Sequence, residues 1–169
     1  MTIQTQASLA IVDLYLLHGR IRAEIPLQGF TRLSDLFNNA PGEFIAATMR
    51  MASTAGEVRR DLVVRLRDVR LVRPIDEGRG AHQLQAQRRE RMPARVVMDL
   101  DDWQVTGDVH LMDRIPWLDF AVASRNRFIS VSNASVRFVG VPEPLECEFL
   151  LINGARISTL YEQYEVPPA

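Results

Sequence analysis

The sequence predicts a mainly β protein with short helices, organised as two tandem five-stranded β units related by internal duplication. Three observations lead there. Apolar and polar residues alternate over several runs of strand length, which marks half-buried strands. Two short patches place apolar residues at i, i+3 and i+4, which marks one face of a short helix. The whole pattern is then written a second time, 84 residues further on.

The elements follow in chain order. Val12, Leu14 and Leu16 alternate, then Ile21, Ala23, Ile25 and Leu27, with the polar turn LHGR between them. Advanced by 84, these positions become Val96, Met98 and Leu100, then Val105, Gly107, Val109 and Leu111, with DDWQ between. Each copy therefore opens with a β-hairpin. A helix is expected next, its apolar face being Leu33, Leu36 and Phe37 in one copy and Trp117, Phe120 and Ala121 in the other. Thr31 is the expected N-cap of the first helix, and Pro116 occupies the start of the second, where a missing N–H costs nothing. Asp35 and Asp119 coincide where the helix dipole favours an acid. Gly42 and Asn126 coincide at the exit, as residues that tolerate positive φ. Phe44-Ile45 and Phe128-Ile129 begin the third strand. The register is then expected to slip by two, pairing Val64 and Leu66 with Leu150 and Ile152 and setting Arg67-Asp68 against Asn153-Gly154, an Asn-Gly hairpin signal. Only six of 41 aligned positions between residues 12 and 52 are identical. The agreement is one of period, cap, helix face and turn chemistry in a single register.

The expected boundaries are a first β unit over 1–74, an Arg-rich linker over 75–95 and a second β unit over 96–169. The linker, IDEGRGAHQLQAQRRERMPAR, has no apolar period and carries Gly, Gln and an Arg cluster. Each unit alone is of marginal size for burying a core, so docking or assembly is expected.

Composition bounds the function. The chain has 169 residues, 47% apolar and 24% charged, with a formal charge of -1, so no global field draws it to nucleic acid or membrane. The single cysteine, Cys147, excludes an intrachain disulfide framework and a four-cysteine zinc site. The early apolar run LAIVDLYLL is short and carries Asp13, so it reads as a strand; a cytoplasmic protein without membrane insertion is expected. All 20 basic residues are Arg. Residues 1–95 hold 15 Arg against 10 acids, and residues 96–169 hold 5 against 11. Oppositely charged halves favour docking or self-association.

Catalytic patterns are missing. His18, His82 and His110 have no metal-ligand spacing, Ser34, Ser130 and Ser132 have no nucleophile motif, and no glycine-rich phosphate loop occurs. No cofactor is expected. Asp101-Asp102 reads as a hairpin tip, Cys147 as a strand residue inert in the core, and Trp117 as core. The candidate anion or partner contacts are Arg88, Arg89, Arg91 and Arg95 in the linker and Trp103, expected exposed on a turn.

The phrases RLSDLFNN and EFIAATMRM, preceded by RIRAEIPL, resemble an uncharacterised bacterial domain family with an R-L-S-D-x-L-N helix followed by an F-I-x-L-T-x-A strand. The likeness covers roughly residues 10–72. Ala47 and Met49 depart from the strand motif, and the second copy is similar only through WLDF and FISVSNASVRF. The resemblance implies a fold unit and assigns no site. The element order is also similar to small five-stranded barrels of Sm or SH3 size, which implies a barrel, although an Sm helix precedes the first strand. The function expected is a non-catalytic protein-interaction or scaffold protein, with a protein partner or a homo-oligomer. The alternative is a regulatory module that binds nucleic acid or an anionic ligand through the Arg-rich linker.

Overall fold

The computed structural model describes residues 8–54, 56–77, 92–111 and 115–163. Two compact units emerge, Met1–Arg88 and Arg89–Ala169. The first contains strands β1 (Leu9–Leu16) and β2 (Gly19–Pro26), helix α1 (Leu33–Asn39), β3 (Phe44–Ser53), β4 (Gly56–Arg65), a 3-10 turn (Leu66–Asp68) and β5 (Val69–Asp76). The second contains β6 (Met92–Leu100), β7 (Trp103–Leu111), helix α2 (Trp117–Ser124), β8 (Phe128–Phe138), β9 (Leu145–Asn153), a 3-10 turn (Gly154–Arg156) and β10 (Thr159–Glu162). Among the described residues the protein is mainly β with two short helices, as the periodicity predicts.

Pairing within each unit is antiparallel. In the first unit the order is β5-β1-β2-β3-β4, and in the second β10-β6-β7-β8-β9. The opening hairpin of each unit turns on two residues, Leu17-His18 between Leu16 and Gly19, and Asp101-Asp102 between Leu100 and Trp103. Asp101 takes φ 48°, a left-handed conformation that Asp tolerates better than most residues. The expected cores are present. Val12, Leu14, Ile25, Leu33, Leu36 and Leu71 are fully buried in the first unit, and Val96, Met98, Leu100, Val105, Leu150 and Ile152 in the second.

Several expectations are corrected. Neither unit is a closed barrel: β4 and β5 lie at opposite ends of one order, β9 and β10 at opposite ends of the other. The strand after each 3-10 turn crosses to β1 or β6 instead of pairing back, so the Asn153-Gly154 hairpin does not form. Asn153 accepts a hydrogen bond from the Ala155 N–H and starts a 3-10 turn. Leu62 and Val64 therefore correspond to Leu150 and Ile152, by their pairing with Ala47 and Ile45 against Val131 and Ile129. The slip is four residues rather than two. Arg32, without a side-chain hydrogen bond, caps α1 in place of Thr31. The two helices also sit differently. Leu33, Leu36 and Phe37 of α1 are buried, whereas α2 buries no residue and exposes Leu118 and Val122. Trp117 is consequently half-buried, its Nε1 donating to Glu162 Oε2 at 3.2 Å. Cys147 is half-buried on β9, not enclosed.

One irregularity has wide effect. Between β7 and β8 the register shifts, Thr106 pairing with Ser135 but Asp108 with Ser132. Asn133 stands at the extra position with φ 48°, a β-bulge. A Cβ on Gly107, opposite, would lie 2.3 Å from Val131 Cγ1 and 3.0 Å from the Ser132 carbonyl, so only glycine admits the approach. The bulge reverses the alternation of β8: Ile129 and Val131 face the core before it, Ala134 and Val136 after it.

Candidate functional site

The second unit turns a groove of about 480 Å³ to solvent on the sheet face opposite its core. Strand alternation assigns its lining. On β6, Val96 and Met98 point into the core, so Arg95 and Val97 point the other way. On β7, Val105 and Val109 are core, which leaves Gln104 and Thr106 for the groove. The bulge at Asn133 sends Ser135 and Arg137 to the same face. Glu146 of β9, Tyr161 of β10 and Gln163 just beyond it complete the walls.

Hydrogen bonds hold this face in place. Arg95 Nη1 donates to Asp108 Oδ1 and to the Asn133 carbonyl, both at 3.1 Å, and Asn133 Nδ2 donates to Asp108 Oδ2 at 2.8 Å. The bulge thus delivers both the carbonyl and the amide that fix Arg95 and Asp108. Burial pushes the Asp108 carboxyl up, but the Asn133 hydrogen bond and the Arg95 hydrogen bond and charge outweigh it and hold it below its ordinary value. Asp99 is likewise lowered, first by the Thr159 hydroxyl, which donates to Oδ2, then by Gln104 Nε2, which donates to Oδ1 at 2.9 Å. Gln104 is thereby anchored at the groove wall. Ser135 Oγ donates to Glu146 Oε1 at 2.7 Å. Arg137 has no carboxylate partner among the described residues.

Of the sequence-predicted site residues, Arg95 lies on this wall, on a strand rather than in a linker, because β6 begins at Met92. Trp103 is half-buried at the start of β7 and meets Phe138 edge-to-face at 5.3 Å between ring centres. It lies on the opposite side of the strand from Gln104, so it does not converge with Arg95, and it is not an exposed turn residue. Arg88, Arg89, Arg91 and His82 lie outside the described residues.

The structure brings His110 and Ser132 together, Nε2 to Oγ at 3.1 Å, which sequence distance hid. Ser132 is buried, and both oxygens of nearby Asp108 accept from Arg95 and Asn133. The pair reads as a cross-strand hydrogen bond. Among the described residues no group of three His, Cys, Asp or Glu side chains could hold a metal ion, and no helix is long and apolar enough to cross a membrane.

No protein-family model, curated protein or solved structure matches this chain.

Sequence reasoning missed Gln104, Thr106, Arg137, Glu146 and Tyr161 as one constellation. Their signal was the polar half of each alternating strand. What joins them is strand order, which alternation does not contain.

Proposed function

We propose that this chain is a non-catalytic protein-interaction or scaffold protein that self-associates through β4. One observation carries this reading. β4 is ten residues long, stands at the end of its unit's order, and has no further strand on its outer edge among the described residues. Unpaired edge groups of that length are a template for another strand. Its side chains add to this: Val58 and Val63 are exposed, Val63 at 76%. Phe44, on the neighbouring strand, is also exposed and lies under the Arg65 guanidinium, 5.4 Å from its ring centre.

The occupant that fits is a second copy. An antiparallel pair of β4 strands related by a two-fold axis at Arg60 sets Arg59 opposite Asp61 twice and Val58 opposite Leu62 twice. Arg60, exposed, stands on the axis, where two long side chains splay into water. Moving the axis by one residue sets Glu57 against Asp61 or Asp61 against itself, so like charge disfavours both neighbouring registers.

Sedimentation equilibrium over a concentration series tests the reading. The chain is expected to dimerise, Asp61→Arg to dissociate it, and the double exchange Arg59→Asp with Asp61→Arg to restore it. A monomer at every concentration, or a dimer indifferent to the charge exchange, refutes the interface.

A second reading, binding of nucleic acid or an anionic ligand by the Arg-rich segment, draws support from Arg95 alone, which lies on the groove wall.

A further inference from the structure

The groove of the second unit has a composition that β4 pairing does not use. Its volume, about 480 Å³, falls in the size range of small-molecule sites. Its charged lining is two arginines against one glutamate. Arg95 already gives one Nη to Asp108 and Asn133, which pins its side chain. Arg137 gives nothing to any carboxylate among the described residues, so its planar fork is available to an incoming anion.

The remaining walls are of another kind. Tyr161 is half exposed and pairs with Val97, whose side chain is buried, so an aromatic ring stands beside an apolar floor. Thr106 adds a hydroxyl to the floor, and Gln104, held by Asp99, presents its amide oxygen. Glu146 accepts from Ser135 through one oxygen and keeps the other as an acceptor. One end of the groove therefore suits a phosphate, and the rest suits a flat ring carrying N–H donors.

We infer that this groove binds a phosphorylated ring compound of nucleoside monophosphate size, the phosphate on Arg137 and the ring against Tyr161. An inorganic anion alone would leave the exposed Tyr161 ring without a contact. A neutral ring compound would leave Arg137 without its anion.

Calorimetric titration of the full chain with AMP, GMP, CMP and UMP tests this, with adenosine and inorganic phosphate as separate arms. At least one monophosphate is expected to bind, and more tightly than its nucleoside or phosphate alone. Arg137→Gln and Tyr161→Ala are each expected to weaken that binding roughly tenfold or more, the scale of a lost charged contact or stacked base. Both side chains are exposed, so far-UV circular dichroism of the variants should match the parent. The β4 charge exchange is expected to leave binding unchanged, which separates this site from the self-association interface. No heat at millimolar concentration with any monophosphate overturns the proposal. So does binding insensitive to Arg137→Gln, or phosphate or adenosine binding as tightly as the monophosphate.

Discussion

Asp13 offers the sharpest test of how the first unit is held together. It lies mid-strand on β1 with its side chain at 0% exposure, directly opposite Arg22 on β2. Arg22 Nε donates to Oδ1 at 2.8 Å and Nη2 to Oδ2 at 3.0 Å, a two-pronged pair, while Arg20 stands 3.9 Å from Oδ2. The Asp13 hydrogen bond, then its charge, raises the Arg22 guanidinium further above its ordinary value. Replacing Arg22 by Ala leaves a carboxylate enclosed without its main donor. Breaking a fully buried pair costs about 3–5 kcal/mol. Here the guanidinium side chain is 59% exposed and Arg20 remains close, so water screens part of the loss. The expected cost is about 1.5–3 kcal/mol, nearer the penalty for one unsatisfied charged group. Asp13→Asn should cost less, because Arg22 simply returns to solvent. Urea unfolding followed by far-UV circular dichroism measures both. Far-UV circular dichroism is used because Trp103 and Trp117 both lie in the second unit and report on it directly. A cost for Arg22→Ala under about 0.5 kcal/mol would class the pair with screened surface pairs and refute the reasoning. So would Asp13→Asn proving the more damaging change.

Three further outcomes follow from the same geometry. The helices should respond unequally to truncation: Leu36→Ala, from a fully buried site, should cost about 2–5 kcal/mol, and Phe120→Ala distinctly less, by urea unfolding. Glycines should rank by what a Cβ meets: at Gly154 it would stand 2.0 Å from the Ser124 backbone carbonyl, at Gly107 2.3 Å from a side-chain methyl. Gly154→Ala should therefore destabilise more than Gly107→Ala, which belongs with overpacked cores at about 1–3 kcal/mol; the reverse order in thermal melts would contradict the packing. Asp99 and Asp108 are lowered on folding from an ordinary 3.8, so the unfolded chain binds more protons in the window below it. Their stabilisation is present above pH 3.8 and is lost as pH falls through the folded values. Tryptophan fluorescence of the second unit should show that loss, and Asp99→Asn should reduce it.

The strands were legible because each carries its own period. Val12, Leu14 and Leu16 alternate whatever surrounds them, and the recurrence 84 residues on anticipates β6 through β8 closely. The short helices were legible from i, i+3, i+4 spacing. Their depth was not: Leu36 and Phe120 each stand fourth in their helix, but burial depends on what lies above the helix, and α2 buries no residue. The Asn153-Gly154 signal misled because turn chemistry is local. A strand that bonds to β6 rather than folding back is decided by a distant partner.

Sequence alone determined the alternating strands, the opening hairpin of each unit and the class of the protein, since these follow from side-chain size, branching and alternation within a few residues. Only the tertiary structure decided the groove. One extra residue at Asn133 reverses the faces of β8, turning Val136 inward and Arg137 outward, and the order β10-β6-β7-β8-β9 then sets Arg137 on one face with Arg95 and Tyr161. A bulge and a strand order are properties of pairing between remote segments, and no local period encodes them.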